Sequence, residues 1–119
     1  MSRFRDQTVL VTGASRGIGA ATALAFAAEG ARVAVNYRAD EDGARATKEA
    51  IEEIGGSAET VQADVGVVAD VDRLVEEVTD RLGPISILIN NAAMIDRSSF
   101  LDVDLDRFEA VWHLSLIHI

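Results

Sequence analysis

The sequence contains no cysteine and, among its 119 residues, one proline and one tyrosine. The absence of cysteine excludes disulfide bonds and thiolate metal sites, and it fits the reducing cytoplasm in which we expect the protein to reside. Long apolar runs are also absent, because none approaches the ~20 residues that a membrane-spanning helix needs. The polar residues 1–7 do not resemble a secretory signal, so no membrane partner is expected.

Basic residues are scarce as well. Eleven lysines and arginines stand against 20 acidic residues, and the formal net charge is −9. Nucleic-acid affinity depends on the neutralisation of phosphates by Lys and Arg, so this balance argues against a nucleic-acid partner. The histidines, His113 and His118, have no metal-ligand spacing around them, and no metal site is predicted.

Short apolar runs alternate with longer helical patterns along the chain, which is typical of βαβ units and a parallel sheet. The pattern predicts an α/β fold, a Rossmann-type doubly wound parallel sheet truncated after strand 4 and the start of the following helix. The far edge of strand 4 would then be unpaired, so we expect the chain to be poorly soluble. Strands are predicted at Thr8–Val11, Arg32–Tyr37, Glu59–Gln62 and Ile85–Ile89, and helices over about Gly17–Glu29, Glu41–Ile54 and Ala69–Arg81, with a fourth starting near Asp104.

The helical patterns also predict which side of each helix packs on the sheet. In the first helix the apolar stripe consists mostly of alanines, which suits close packing. The expected inward residues are Ala21, Leu24, Ala25 and Ala28 in the first helix, Ala44, Thr47, Ile51 and Ile54 in the second, and Val71, Leu74, Val75 and Val78 in the third.

The strongest functional signal is the segment TGASRGIG, which runs from Thr12 to Gly19 between the first strand and the first helix. A glycine-rich turn in this strand–turn–helix context is typical of dinucleotide binding. Glycines permit a tight turn, a close approach of the pyrophosphate to the backbone, and close packing of the helix on the sheet, while the helix N-terminus attracts phosphate. The candidate cofactor-binding residues of this turn are Gly13, Ser15, Arg16, Gly17, Ile18 and Gly19.

This T-G-x-x-x-G-x-G spacing resembles the short-chain dehydrogenase/reductase family, in its single-domain branch. The extended branch spaces its glycines differently and is a poorer match. The resemblance implies an oxidoreductase that uses a nicotinamide dinucleotide, similar to 3-oxoacyl-acyl-carrier-protein reductases and glucose-dehydrogenase-like members. It further implies a small-molecule carbonyl or alcohol substrate and a homotetrameric parent protein.

The end of the second strand indicates which dinucleotide is bound. A carboxylate at this place binds the ribose 2′-hydroxyl of NAD, whereas a nearby arginine accommodates the 2′-phosphate of NADP. Here Tyr37 stands about where an NAD enzyme of the family has Asp, Arg38 follows, and Arg16 lies in the phosphate turn. Two guanidiniums can hold a phosphate dianion, so NADP is favoured. NAD stays an alternative, because Asp40 and Glu41 follow closely.

Asp64 and Val65 follow the third strand. The family resemblance implies that the carboxylate of Asp64 accepts a hydrogen bond from the adenine amino group, and that the backbone of Val65 lines the adenine pocket. The alternative is that Asp64 caps a turn or a helix.

The fourth strand runs into Asn90, Asn91, Ala92 and Ala93, which resembles the N-N-A-G element of the family. The resemblance implies that small residues let the nicotinamide ribose lie against the backbone, while the asparagine amides bond to the central strands. Ala93 stands in place of the usual glycine, which is tolerated if the local φ is negative.

No catalytic residue is assigned to this chain. The resemblance implies catalysis by an Asn after strand 4, a Ser after strand 5 and a Tyr-x-x-x-Lys motif, in which the Tyr is the general acid and base. The tyrosine here, Tyr37, lies on the cofactor side, and the lysine, Lys48, lies on an outer helix, so neither matches. We therefore expect the chain itself to be inactive. A non-catalytic nucleotide-binding module and a SAM-dependent methyltransferase remain alternatives.

The last six residues, Leu114 to Ile119, read LSLIHI. The back-translation CTG TCT CTT ATA CAC ATC matches a transposon-end adapter of sequencing libraries. We therefore expect residues 1–113 to be the natural part of a Rossmann domain and residues 114–119 to be translated adapter. A genuine shortened protein with an unusual end is the alternative.

Overall fold

The structure, a computed structural model, describes residues 3–91 and 115–118. Strands and helices alternate from the first strand to the fourth, as the apolar periodicity predicts. The third strand begins two residues earlier than expected, and the other boundaries agree to within one residue. The elements are β1 (Thr8–Val11), α1 (Gly17–Ala28), β2 (Arg32–Tyr37), α2 (Glu41–Glu53), β3 (Ser57–Gln62), α3 (Val68–Leu82), β4 (Ile85–Asn90) and β5 (Ser115–His118).

The five strands of the described residues form one parallel sheet in the order β3-β2-β1-β4-β5. The chain moves outward from β1 to β2 and β3, and then crosses back to place β4 on the other side of β1. This reversal confirms the predicted doubly wound, Rossmann-type sheet. In such sheets, ligands bind in the crevice at the carboxyl ends of the strands where the order reverses, here between β1 and β4.

The expectation that β4 is an unpaired edge is wrong. Residues of β5 pair in parallel with β4, from Ile87 opposite Ser115 to Asn90 opposite His118. The apolar segment Leu116–Ile117 has the composition of a strand and supplies the backbone partners that β4 needs. Because this edge of β4 is paired, it gives no reason to expect poor solubility. The predicted helix near Asp104 lies outside the described residues.

The sheet separates two apolar clusters, because successive strand side chains point to opposite faces. Val9 and Val11 pack with α1 and α2 on one face, whereas Leu10 packs with α3 on the other. The predicted inward face of α3 is confirmed, since all four residues predicted for it, Val71, Leu74, Val75 and Val78, are buried. No helix in the described part of the chain is long and apolar enough to cross a bilayer.

The predicted face of α1 is wrong. The buried residues are Gly19, Ala23 and Ala27, while Ala21, Ala25 and Ala28 are exposed and Leu24 is half-buried. The reason is that this helix is apolar nearly all round, so its periodicity does not select one face. The close approach of Gly19 to the preceding turn sets the rotation of the helix instead.

One residue of the predicted α2 face is also misplaced. Ala44, Thr47 and Ile51 are buried as expected, but Ile54 is 52% exposed. It follows the last helical residue, and the chain turns away immediately afterwards at Gly55, which has a φ of 82°. The helical spacing therefore no longer applies to its side chain.

Candidate cofactor-binding site

The carboxyl ends of β1 to β4 surround a cleft of about 460 Å³. Its walls come from the turn after β1 and from the segments that follow β2, β3 and β4. Eight of the cofactor-binding residues predicted from the sequence line this cleft: Gly13, Ser15, Arg16, Tyr37, Arg38, Asp64, Val65 and Asn91. Gly17, Ile18 and Gly19 begin α1 at the edge of the same turn, while Ala92 and Ala93 lie outside the described residues.

The turn after β1 presents the N-terminus of α1 to this cleft. Gly13 and Gly17 have φ values of 61° and 63°, a conformation that favours glycine. Arg16 is the N-cap residue, and its side chain does not cap the helix. The first N–H groups of α1 lack intrahelical acceptors, and they carry the positive end of the helix dipole, so they can bind an anion.

The space beside the start of α1 is open at Gly17 and closed at Gly19. A Cβ built on Gly17 would meet no protein atom within 4 Å, so protein packing does not explain the glycine. A Cβ on Gly19 would instead overlap the carbonyl oxygen of Gly13 and the amide of Asn91. Gly17 thus borders open space, where its positive φ is the reason for a glycine, and Gly19 permits close packing of α1 on the turn. Ile18, between them, is 65% exposed.

The end of β4 holds the turn from the other side. The backbone N–H of Asn91 donates to the Thr12 hydroxyl at 3.0 Å, and its side-chain amide donates to the Gly13 carbonyl at 3.1 Å. The backbone N–H of Thr12 donates to the Ile89 carbonyl at 3.0 Å. The first residue after β4 is therefore fixed to the phosphate turn, as expected for an amide that bonds to the central strands.

Asn36 is a site residue that the sequence analysis missed. It is 2% exposed at the end of β2. Its amide nitrogen donates to the carbonyls of Val61 and Ala63 at 3.2 and 3.3 Å, and its side-chain oxygen accepts from the N–H of Gly13 at 3.4 Å. It joins the phosphate turn to the end of β3. An asparagine in an otherwise apolar strand was the signal that could have revealed it.

The two arginines that favour NADP both line the cleft. Arg16 and Arg38 are exposed, and neither forms an ion pair with a carboxylate of the described residues. Of the neighbouring carboxylates, Asp40 lines the same cleft and accepts from the Gly43 N–H at 3.0 Å, and Glu41 pairs with Arg45 at 3.5 Å. The positive charge of the two guanidiniums is therefore available to a ligand.

Asp64 performs the turn-capping role that was its alternative assignment. Its carboxylate accepts from the Gly66 N–H at 2.9 Å, and its own N–H donates to the Asp70 carboxylate at 2.8 Å. It is nevertheless half-buried in the cleft wall, next to the buried Val65. Within residues 3–91 and 115–118, no three His, Cys, Asp or Glu side chains are grouped to hold a metal ion.

A known protein family matches this chain. A family model described as short chain dehydrogenase matches residues 7–118. The chain belongs to the short-chain dehydrogenase family. The predicted resemblance is thereby confirmed, and the family is one of oxidoreductases that bind a nicotinamide cofactor.

Individual relatives extend the comparison. The chain is 42% identical over 116 residues to a 3-oxoacyl-[acyl-carrier-protein] reductase of Synechocystis sp., covering 98% of this chain and 47% of the relative. It is 44% identical over 110 residues to a glucose 1-dehydrogenase of Gluconobacter oxydans, covering 92% and 41%. The chain thus spans less than half the length of the curated relatives it matches.

A solved structure also matches the fold of this chain. A short chain dehydrogenase from Burkholderia cenocepacia, in complex with NADP, superimposes with a TM-score of 0.73 at 39% identity, covering 92% of this chain and 44% of that one. The chain therefore shares its fold with the corresponding part of a protein that was solved in complex with NADP.

Proposed function

We propose that this chain forms the NADP(H)-binding half of an oxidoreductase that transfers a hydride between NADPH and a carbonyl or secondary alcohol. The observation that carries the proposal is the pair Arg16 and Arg38, which line one cleft beside the phosphate turn without ion-pair partners among the described residues. Tyr37 occupies the strand end where a carboxylate would repel a 2′-phosphate.

Each segment of the cleft wall has a role in this proposal. The N–H groups at the start of α1 bind the pyrophosphate, and the two guanidiniums bind the 2′-phosphate through charge-assisted hydrogen bonds. The Asp64 carboxylate, which also accepts from the Gly66 N–H, accepts a further hydrogen bond from the adenine amino group, and Val65 packs against the adenine ring. Asn91 faces the nicotinamide ribose, and the same role is proposed for Ala92 and Ala93, which lie outside the described residues, from the family resemblance alone. The reduced nicotinamide supplies the hydride when the cofactor is bound.

We further propose that the chain binds the cofactor without turning over a substrate. Substrate chemistry in this family needs a general acid, and neither Tyr37 nor Lys48 has the family spacing for one. Residues 114–119 remain proposed as translated adapter. Reading the source DNA beyond the codon for His113, in a library made without transposons, tests this. A reading frame that continues to Ser and Tyr-x-x-x-Lys codons supports the adapter origin of residues 114–119. A stop codon directly after LSLIHI contradicts it.

The cofactor preference gives the direct test of the proposed function. Titration of the purified chain with NADPH and with NADH, followed by nicotinamide fluorescence, is expected to give a Kd for NADPH at least about tenfold lower, as charge-assisted hydrogen bonds to one phosphate require. Arg16→Ala and Arg38→Ala should each reduce the ratio of the NADH Kd to the NADPH Kd and leave the NADH affinity nearly unchanged.

The matched control is Arg5→Ala, which removes an exposed arginine at the opposite, amino-terminal end of β1. It changes the net charge by the same amount, so an equal loss of preference in this variant would show a general charge effect and not a 2′-phosphate site. Equal affinities for NADPH and NADH in the unmodified chain would contradict the NADP assignment. Binding of SAM without binding of NADPH would contradict the enzyme class.

A further inference from the structure

The first turn of α2 lies in unusually close contact with the phosphate turn. A Cβ built on Gly43 would lie 2.5 Å from the carbonyl oxygen of Ser15 and would also overlap the carboxylate of Asp40. The carbonyl of Ser15 belongs to the backbone and cannot rotate away as a flexible side chain can. Any larger residue at position 43 must therefore push α2 away from the turn.

Local helix preference does not explain this glycine. Gly43 is the third residue of α2, and glycine is a poorer helix former than alanine. Its φ is not in the left-handed region, so the backbone conformation would accept an alanine. The close approach of the two backbones is the remaining reason for a glycine at this position.

A second contact joins the same two segments one turn further along α2. The hydroxyl of Thr47 donates to the carbonyl of Ala14 at 3.0 Å, and it lies equally close to the carbonyl of Gly43 within its own helix. Thr47 is 6% exposed, so this bond is shielded from water. Gly43 and Thr47 thus dock one face of α2 onto residues 14 and 15 of the phosphate turn.

The two docked segments lie next to the two arginines in the sequence. Arg16 directly follows the docked residues of the phosphate turn, and Arg38 lies two residues before Asp40, which caps α2 through the Gly43 N–H. We propose that Gly43 and Thr47 are positioning residues that set the spacing between Arg16 and Arg38, and thereby the preference for a 2′-phosphorylated dinucleotide. This inference rests on the proposed function, since it concerns the same cleft.

The hydroxyl of Thr47 is tested with Thr47→Val, which keeps the shape of the side chain and removes the donor. We expect the ratio of the NADH Kd to the NADPH Kd to fall about fivefold, the factor that corresponds to one net hydrogen bond. Thr47→Ser restores the donor and should restore the ratio. A residue with a merely structural role would weaken both affinities equally and leave the ratio unchanged.

The close approach is tested with Gly43→Ala. Because α2 is displaced from the turn, one of the two guanidiniums should no longer reach the 2′-phosphate. The ratio of the NADH Kd to the NADPH Kd should then fall about tenfold. Glu49→Ala, on the exposed side of the same helix, is the matched control and should change neither affinity. Thermal unfolding of each variant, followed by circular dichroism, separates a loss of folded protein from a loss of preference.

The outcomes distinguish this inference from the proposed function. If the unmodified chain prefers NADPH and both variants keep the full preference, the positioning role is overturned and the function stands. If the unmodified chain binds NADPH and NADH equally, the NADP assignment and the positioning role are both overturned. A lowered ratio in Thr47→Val that Thr47→Ser restores supports the inference.

Discussion

Gly19→Ala is expected to destabilise the chain by about 3 kcal/mol, at the upper end of the cost of overpacking. The added Cβ would overlap the Gly13 carbonyl oxygen and the Asn91 amide, which are hydrogen-bonded to each other at 3.1 Å. Neither can move without breaking the contact between β4 and the phosphate turn. The helix N-terminus would then shift from its place in the cleft, and NADPH affinity should fall at least about 100-fold, as loss of two or more charge-assisted hydrogen bonds requires.

Circular dichroism during thermal unfolding measures the stability, and nicotinamide fluorescence measures the affinity at a temperature where both proteins are folded. The control is Ala25→Gly, an exchange of the same two residue types at an exposed site of α1. It should cost ~1 kcal/mol through helix propensity alone and leave the affinity unchanged. Should Gly19→Ala keep the affinity of the unmodified chain, the tight contact between α1 and the phosphate turn is not required for binding.

The elements that could be predicted from the sequence are those whose residue pattern lies within one short segment. Strands β1 to β4 were predicted closely from their short apolar runs. Helix α3 was predicted closely because it has a polar side and an apolar side, so that Val71 and Leu74 could be assigned to the core. The same reasoning failed for α1, in which nearly every residue is apolar. There the rotation of the helix depends on the contact of Gly19 with Gly13 and Asn91, which are brought together only by the fold.

The candidate site divides in the same way. The glycine turn and the residues that end each strand are visible because each motif lies in one short segment. The contacts of Asn36, Gly43 and Thr47 join segments that are separated by 23 or more residues in sequence, so no local pattern contains them. Two weak signals existed, namely a polar residue inside an apolar strand and a glycine inside a helix. The pairing of β5 with β4 is a contact of the same long-range kind.

The largest effect on stability is expected from Asn36→Leu, by about 4 kcal/mol. Leucine has a similar size, but it cannot donate to the carbonyls of Val61 and Ala63 or accept from the Gly13 N–H. Each buried polar group that loses its partner costs ~1–3 kcal/mol, and the site is shielded from water. Urea unfolding should show a lower midpoint with an unchanged slope, because the folded and unfolded surfaces stay the same.

Gln62→Leu is the matched control, since it also replaces an amide by leucine at the end of a strand. Gln62 is exposed, and its amide donates to the Arg38 carbonyl at 2.9 Å on the surface, where water can replace it. The cost should therefore stay near ~0.5 kcal/mol, as for surface substitutions in general. Similar losses in the two variants would mean that the buried bonds of Asn36 add nothing beyond those of a surface amide, and that β3 is held to the phosphate turn by packing alone.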